Sequence, residues 1–296
     1  MSEQNLPKVW LLDASIVFFR AWFGLPDHFH TKDGQSINGL FGFAKSLLDL
    51  LAQSPQYLVC AYDESLFTGL RHQIDPEYKA NRVLPDEDLE FQLEGCKTIA
   101  ELLGLPVLAS DDYEADDLIA SAQAQWFPRT PVAVITADKD LGQLIRQGDI
   151  WWNPAKNDQL DAHAMAAKWG VECNQLANLL ALTGDQVDNI PGVPGVGDKT
   201  AAALLNAFGT VTELFDNLDD VARMKIRGAK TLGAKLAPHR DRVLLNLQLT
   251  QTFVDAPLPS KPKPWSIRQG DWQALAEQFE DWNMPRTVKN RLQHWQ

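Results

Sequence analysis

At 296 residues, 45% hydrophobic and 22% charged, the chain has room for one large domain with a smaller one, and its composition is that of a soluble globular protein. No apolar stretch nears membrane-spanning length, and Met1-Ser2-Glu3-Gln4-Asn5 has neither a basic start nor an apolar core; no membrane partner and no secretory signal are expected, and the expected compartment is the cytoplasm. A formal net charge of −12 argues against loose, non-specific nucleic-acid binding, and Cys60, Cys96 and Cys173, lacking C-x-x-C spacing, read as free buried thiols rather than zinc ligands.

The elements alternate along the first half. Val9-Trp10-Leu11-Leu12 is an apolar run ending at Asp13, Tyr57 to Tyr62 is another ending at Asp63, Pro106 to Ala109 leads to Glu114, and Val132 to Thr136 leads to Asp138. Helix-length segments, about 40–52, 86–103 and 114–126, separate them, and Ile150-Trp151-Trp152 is a last strand. Alternation of this kind predicts a mostly parallel sheet flanked by helices, with all strand ends, and therefore these acids, on one edge.

From about 160 to 250 the texture is helical, with helices expected at 161–169, 174–182, 198–207, 211–216 and 230–249 and a Gly/Pro-rich connector from Asn189 to Gly197. Pro257 to Pro264 reads as a stiff linker into an aromatic-rich tail with Trp265, Trp272, Phe279, Trp282 and Trp295. Leu275, Phe279 and Trp282 lie at helical spacing, so 271–282 is expected as a helix docked on the body. The expected domains are 1–160, 161–256 and 257–296.

The acids carry the chemistry. Glu114-Ala115-Asp116-Asp117 packs three carboxylates into four positions, more than a helix start asks for, and they repel unless a cation lies among them. Asp138 and Asp140, two apart in extended chain, face the same way, and Asp185 and Asp188, three apart on a helical turn, share a face. Each pair alone is commonplace. Together with Asp13 and Asp63 the set reaches nine acids with no His or Cys among them, a donor set that selects hard cations, Mg²⁺ or Mn²⁺, in number for two ions. Gly192-Val193-Pro194-Gly195-Val196-Gly197 followed by Asp198-Lys199-Thr200 reads as a tight turn whose backbone meets a phosphate at a helix start, or else as an ordinary interhelical turn. Basic residues bunch in two windows, Arg71, His72, Lys79 and Arg82, then Arg223, Lys225, Arg227, Lys230, Lys235, Arg240 and Arg242. Trp22, Phe23 and Phe29 are core residues or, less commonly, a stack for a base.

These residues resemble the bacterial 5′-nuclease family, the 5′→3′ exonuclease and flap endonuclease domain of DNA polymerase I, here as a free-standing protein. Leu12-Asp13 with Arg20, Tyr78-Lys79-x-x-Arg82, Glu114 to Asp117, Thr136 to Asp140, Gly184 to Thr200 and Arg227 to Thr231 carry the resemblance over nearly the whole chain. It implies a PIN-like α/β domain, a helical arch from about 76–103 and a helix–three-turn–helix DNA-binding element at 175–207. By the same resemblance Asp13, Asp63, Glu114, Asp116 and Asp117 serve mainly a first Mg²⁺ and Asp138, Asp140, Asp185 and Asp188 a second, with Mn²⁺ as substitute. Lys79 is implied as the lysine that stabilises charge on the scissile phosphate and Arg82 as its steering neighbour. Arg20, Arg71, Gly192, Val193, Gly195, Val196, Gly197, Lys199, Thr200, Arg227 and Lys230 are implied as DNA contacts, with K⁺ held at Val193 and Val196. The chain departs from the family's pattern at Val187 and over Val83-Leu84-Pro85. The expected substrate is DNA with a 5′ flap, nick or end, or an RNA primer in duplex, cut by a monomer at the nucleoid to leave a 3′-hydroxyl and a 5′-phosphate. Rival readings are a non-catalytic DNA-structure binder, which the acids oppose, a PIN-type ribonuclease, which the helical half opposes, and a small-molecule phosphatase, which would not require Gly192 to Gly197.

Overall fold

The computed structural model describes residues 6–65, 68–82 and 86–292; Met1 to Asn5, Val83-Leu84-Pro85 and Trp295 lie outside the described residues, and with them the reading of the N-terminus and of the post-arginine segment. Strand β1 (Val9–Asp13) runs into α1 (Ala14–Gly24), followed by α2 (Asn38–Leu51), β2 (Tyr57–Ala61), α3 (Leu70–Ile74), α4 (Glu87–Leu102), β3 (Val107–Leu108), α5 (Ala115–Trp126), β4 (Val132–Ile135), β5 (Ile150–Asn153) and β6 (Asp158–Leu160). The sheet order is β3-β2-β1-β4-β5-β6, parallel except for the antiparallel β6. Because successive side chains of a strand point to opposite faces, Val9 and Leu11 enter one core with α5 and the helical half, while Trp10 and Leu12 enter a second with α1, α2 and α4. The two halves of the order wind outward from β1 and β4, and the crevice at their carboxyl ends is where such sheets bind ligands.

The helical half comprises α6 (Ala162–Trp169), α7 (Leu176–Thr183), a two-stranded hairpin of β7 (Gly184–Asp185) and β8 (Ile190–Pro191), α8 (Asp198–Phe208), α9 (Val211–Asp216), α10 (Leu218–Val221), α11 (Ala229–Leu236) and α12 (Arg240–Thr250). The expected helix 230–249 is broken at Pro238, which cannot donate a backbone hydrogen bond. The tail docks as expected: α13 (Trp272–Asp281) and α14 (Arg286–Leu292) bury Leu275, Phe279, Val288 and Leu292 against the second core.

The expected arch over 76–103 is corrected. Helix α4 packs against α2 and α13 with Gln92, Gly95, Cys96, Ile99 and Ala100 buried, so that face belongs to the body. What reaches the acidic edge is the turn from Asp75 to Arg82. The aromatic cluster divides: Phe29 packs on Phe41 at 4.5 Å, Trp22 leans on the second core, and Phe23 is 81% exposed.

Candidate active site

Asp13 is at once the last residue of β1 and the N-cap of α1, its Oδ1 accepting the Ile16 N–H at 3.1 Å. Its Oδ2 accepts the Thr136 hydroxyl at 2.9 Å from the end of neighbouring β4, and the same Thr136 Oγ1 accepts the Asp138 N–H at 2.9 Å. Asp63 follows β2, where its N–H donates to Ser15 Oγ at 3.0 Å and its carboxylate accepts from Ser65. Glu114 caps α5, which carries Asp116 and Asp117 in its first turn. Four strand ends thus deliver acids to one crevice.

Two local readings are corrected. Asp138 and Asp140 lie in a turn, the Asp140 N–H donating to Asp138 Oδ1 at 2.8 Å as a 3₁₀ turn begins. Asp185 and Asp188 belong to the β7–β8 hairpin and not to a helical turn: Gly184, at φ +78, ends α7 and turns the chain back. A Cβ on Gly192 would lie 2.0 Å from the Thr183 carbonyl oxygen, so the hairpin closes only around a glycine there.

The electrostatics of the cluster are lopsided. Burial, with Asp138 and Asp63 nearby, pushes the Asp13 carboxyl up to about 7. Burial and Asp138 push Asp140 up to about 8, and burial with Asp138, Asp13 and Glu114 raises Asp116 well above the carboxylate range. Asp63 and Asp138 are raised as well, each first by burial, then by Glu114 for Asp63 and by Asp188 and Asp185 for Asp138. Burial also acts on Glu114 and Asp185, but Lys79 and Arg71 outweigh it at Glu114 and Lys139 outweighs it at Asp185, so both fall below the ordinary range. The Lys79 ammonium lies 2.7 Å from Glu114 Oε1, Lys139 lies 2.6 Å from Asp185 Oδ2, and Arg82 lies 2.9 Å from Asp188 Oδ1. Tyr78 donates its hydroxyl between Glu114 Oε2 at 3.1 Å and Asp188 Oδ2 at 3.2 Å.

Among the described residues no three acidic, histidine or cysteine side chains are drawn close enough to grip an ion as they stand. The donor set nevertheless fits divalent cations. It is all oxygen, most of its members are pushed toward protonation, and Asp140 Oδ1 is buried without a hydrogen-bond donor, the Lys139 ammonium lying 3.7 Å off. Lys79, Lys139 and Arg82 supply part of the missing positive charge.

The turn carrying Lys79 and Arg82 is zipped to the hairpin carrying Asp185 and Asp188. Lys79 N–H donates to the Asp188 carbonyl at 3.0 Å, Asn81 Nδ2 donates to the Gln186 carbonyl at 3.2 Å, and Asn189 Nδ2 donates to the Glu77 carbonyl at 2.7 Å. Both Lys79 and Asn189 take the left-handed backbone region, at φ +54 and +56, which for lysine is uncommon and costs energy. Sequence reading assigned no role to Tyr78, Thr136, Lys139, Asn81 or Asn189. For Lys139 a signal existed, a cation between two candidate ligands; the others are visible only as contacts between distant segments.

Two expectations are overturned by burial. Asp117 was expected as a metal ligand and Arg71 as a DNA contact, but they hold each other in a two-pronged pair at 2.5 and 2.8 Å with 0% and 5% exposure of their side chains. Asp117 also accepts the N–H groups of Glu114 and Phe253, and Arg71 also donates to the carbonyls of Leu249 and Gln251. Neither has capacity left for an ion or a phosphate. The pair fastens α5 and α3 to the end of α12. Arg20 is exposed on α1, its guanidinium 3.4 Å from Ser46 Oγ on α2.

In the second half, Val193 and Val196 bury their side chains, Val193 N–H donates to the Leu182 carbonyl, and Val196 N–H closes a turn onto the Val193 carbonyl at 3.0 Å. Gly195, at φ +81, makes that turn possible. Gly197 precedes α8, whose first turn holds the exposed Lys199 and the half-buried Thr200. Arg227 and Lys230 are exposed around the start of α11, whereas Arg223, Arg240 and Arg242 are paired with Asp220, Asp216 and Asp75.

Residues 8–170 match the family described as 5′-3′ exonuclease, N-terminal resolvase-like domain, and residues 171–273 match its partner, 5′-3′ exonuclease, C-terminal SAM fold. The chain belongs to the 5′-3′ exonuclease family. A 5′-3′ exonuclease of Aquifex aeolicus is 30% identical over 286 residues, covering 96% of this chain and 95% of its own. DNA polymerase I of Mycobacterium bovis is 35% identical over 297 residues, covering 98% of this chain; the chain spans only 32% of that relative's length. The fold is also that of the bacteriophage T5 D15 flap endonuclease, solved with DNA and metal ions, at TM-score 0.63 and 20% identity over 97% of this chain and 98% of that one. Family membership agrees with the mostly parallel sheet, the helical second half and the order of motifs along the chain. No helix among the described residues is long and apolar enough to cross a membrane.

Proposed function

We propose that this member of the 5′-3′ exonuclease family hydrolyses DNA phosphodiesters at 5′ flaps, nicks or ends, with divalent cations, Mg²⁺ or Mn²⁺, at the acidic crevice. The observation that carries the reading is the meeting of Asp13, which is buried, with the half-buried Asp63, Asp116, Asp138 and Asp140 in one cluster whose members raise one another's affinity for positive charge. Asp13, Asp63, Glu114 and Asp116 would hold one ion and Asp138, Asp140, Asp185 and Asp188 another. When bound, such a pair supplies an activated water on one side of the phosphate and charge neutralisation on the leaving oxygen. The chain's own part is binding and orientation. Lys79 and Arg82, held at the cluster by the zipped turn, donate to the scissile phosphate and stabilise the charge it gains in the transition state. Asp117 contributes indirectly, by fixing the first turn of α5 through Arg71.

In this reading the turn at Val193 and Val196 binds K⁺ through backbone carbonyls, and Gly192, Gly195, Gly197, Lys199, Thr200, Arg227, Lys230 and Arg20 meet backbone phosphates without reading bases. The division into 1–160, 161–256 and 257–296, the monomeric state, the action on RNA primers in duplex and the setting at the nucleoid are parts of the same proposal. It is supported by relatives named DNA polymerase I and by a structural neighbour solved with DNA and metal ions. An end-labelled 5′-flap duplex incubated with Mg²⁺ should yield a product ending in a 3′-hydroxyl, with none formed in chelator. Intact flap in both would refute the reading, and cleavage of matched single-stranded RNA in its place would favour a ribonuclease.

A further inference from the structure

Beside Lys139 lies a small cavity of about 120 Å³, with Lys139, Lys156 and Lys168 in its wall beside Trp151 and Trp169. It borders the acidic crevice directly: Trp151 Nε1 donates to the Asp138 carbonyl at 2.7 Å, and Lys139 reaches Asp185. Three lysines from three separate segments line it in a chain whose net charge is −12, the Lys139 ammonium itself reaching Asp185. The one acid in the wall, Asp158, lies 3.8 Å from Lys168. Lys168 lies over the rings of Trp151 and Trp169, at 5.5 and 5.9 Å, which holds the end of a flexible side chain in place. Ammonium groups donate and never accept, so the group that suits this wall is an acceptor carrying negative charge. Its size suits a single anionic group.

We propose that this cavity binds a backbone phosphate of the nucleic-acid strand, next to the one held at the acidic crevice and distinct from the contacts at Val193 to Thr200. The inference rests on the nuclease reading above. The shared wall at Lys139 means that a strand entering the crevice passes the cavity. The contact would add affinity and register without sequence preference.

The test is binding of a fluorescent 5′-flap duplex in chelator across a salt series, for the full chain and for the double variant Lys156→Gln/Lys168→Gln. Each lost phosphate contact lowers the slope of log affinity against log salt by about 0.9, so the double variant, losing the one phosphate held in the cavity, should lose about 0.9. Lys8→Gln/Lys263→Gln, with the same change of net charge at exposed residues outside the cavity wall, should keep the wild-type slope. Lys156→Gln alone, at an exposed residue of the wall, should weaken binding roughly threefold, the worth of one hydrogen bond, and decides the matter if the double variant does not fold. An unaltered slope in the folded double variant, or wild-type affinity in Lys156→Gln where the double variant does not fold, overturns the proposal. So does a variant that loses affinity for inorganic phosphate but keeps its DNA slope, since the cavity would then serve a free anion. A wild-type chain with no salt-dependent DNA binding would instead take down the nuclease reading.

Discussion

Asp116 and Asp117 are neighbours in sequence and live in opposite electrostatic circumstances. Asp117 has four protein donors, two from Arg71 and one each from the Glu114 and Phe253 backbones, and is complete. Asp116 faces Asp13, Asp138 and Glu114, acids that raise its pKa, and is incomplete without a cation. Burial alone therefore does not mark a functional carboxylate; the partners do. A buried acid with fixed donors holds the fold together, and a buried acid facing other acids implies that something positive is to come.

That contrast can be broken or sharpened by experiment. The largest effect is expected at the incomplete group: Asp116→Asn should abolish cleavage of a flap while leaving DNA affinity in place, and full activity would remove Asp116 from ion binding. Asp117→Asn should act on the complete group, lowering stability by about 3–5 kcal/mol, because Arg71 keeps its buried charge without its partner. Denaturant unfolding measures this, and a loss of activity at unchanged stability would return Asp117 to the ligands. Lys79→Ala should lower turnover by ~10²-fold, as loss of one preorganised donor does, and a change under about threefold would take Lys79 out of the mechanism.

Smaller effects test how far the two groups differ. Without metal, Asp13, pushed up to about 7, and Asp140, pushed up to about 8, keep protons in the folded chain that the unfolded chain has released above about pH 4. The folded state then binds more protons between those values, so this contribution to stability falls as pH rises through the window. Mg²⁺ at a hundred times its Kd should add about 2.7 kcal/mol and flatten the fall. Melting curves at pH 5 and pH 8 with the same drop in chelator and in Mg²⁺ would separate the ion from these acids. The smallest change is expected for Asn189→Gly, which suits φ +56 but removes the 2.7 Å bond to Glu77. A few-fold loss in kcat at unchanged KM is the expected sign of a loosened Lys79, taken here as roughly the worth of one hydrogen bond.

Much of the fold was legible because it is periodic. Apolar runs ending in Asp13, Asp63 and Asp138 announce parallel strands with acids at one edge, and Leu275 and Phe279 announce a docked helix, since both patterns depend only on side-chain direction along a regular backbone. The boundaries that failed are where the backbone ceases to be regular. Asp185 and Asp188 were read on a helix because three-residue spacing fits one; φ +78 at Gly184 and the Thr183 carbonyl against Gly192 make a hairpin instead. The run 76–103 was read as an arch, but Cys96 and Ile99 find a core to enter, and among its described residues the turn before α4 is what reaches the acids.

By itself the sequence determined the inventory: a hard-cation donor set, strands in an order that brings those acids together, and a glycine turn ahead of a helix. Which of the acids remain free for a cation was decided only when the chain closed on itself. Arg71 meets Asp117 across 46 residues and the Leu249 carbonyl across 178, while Asn189 meets Glu77 across 112. Charge and donor count belong to a residue, but the partner that satisfies them is chosen by distances in space, which no local pattern encodes.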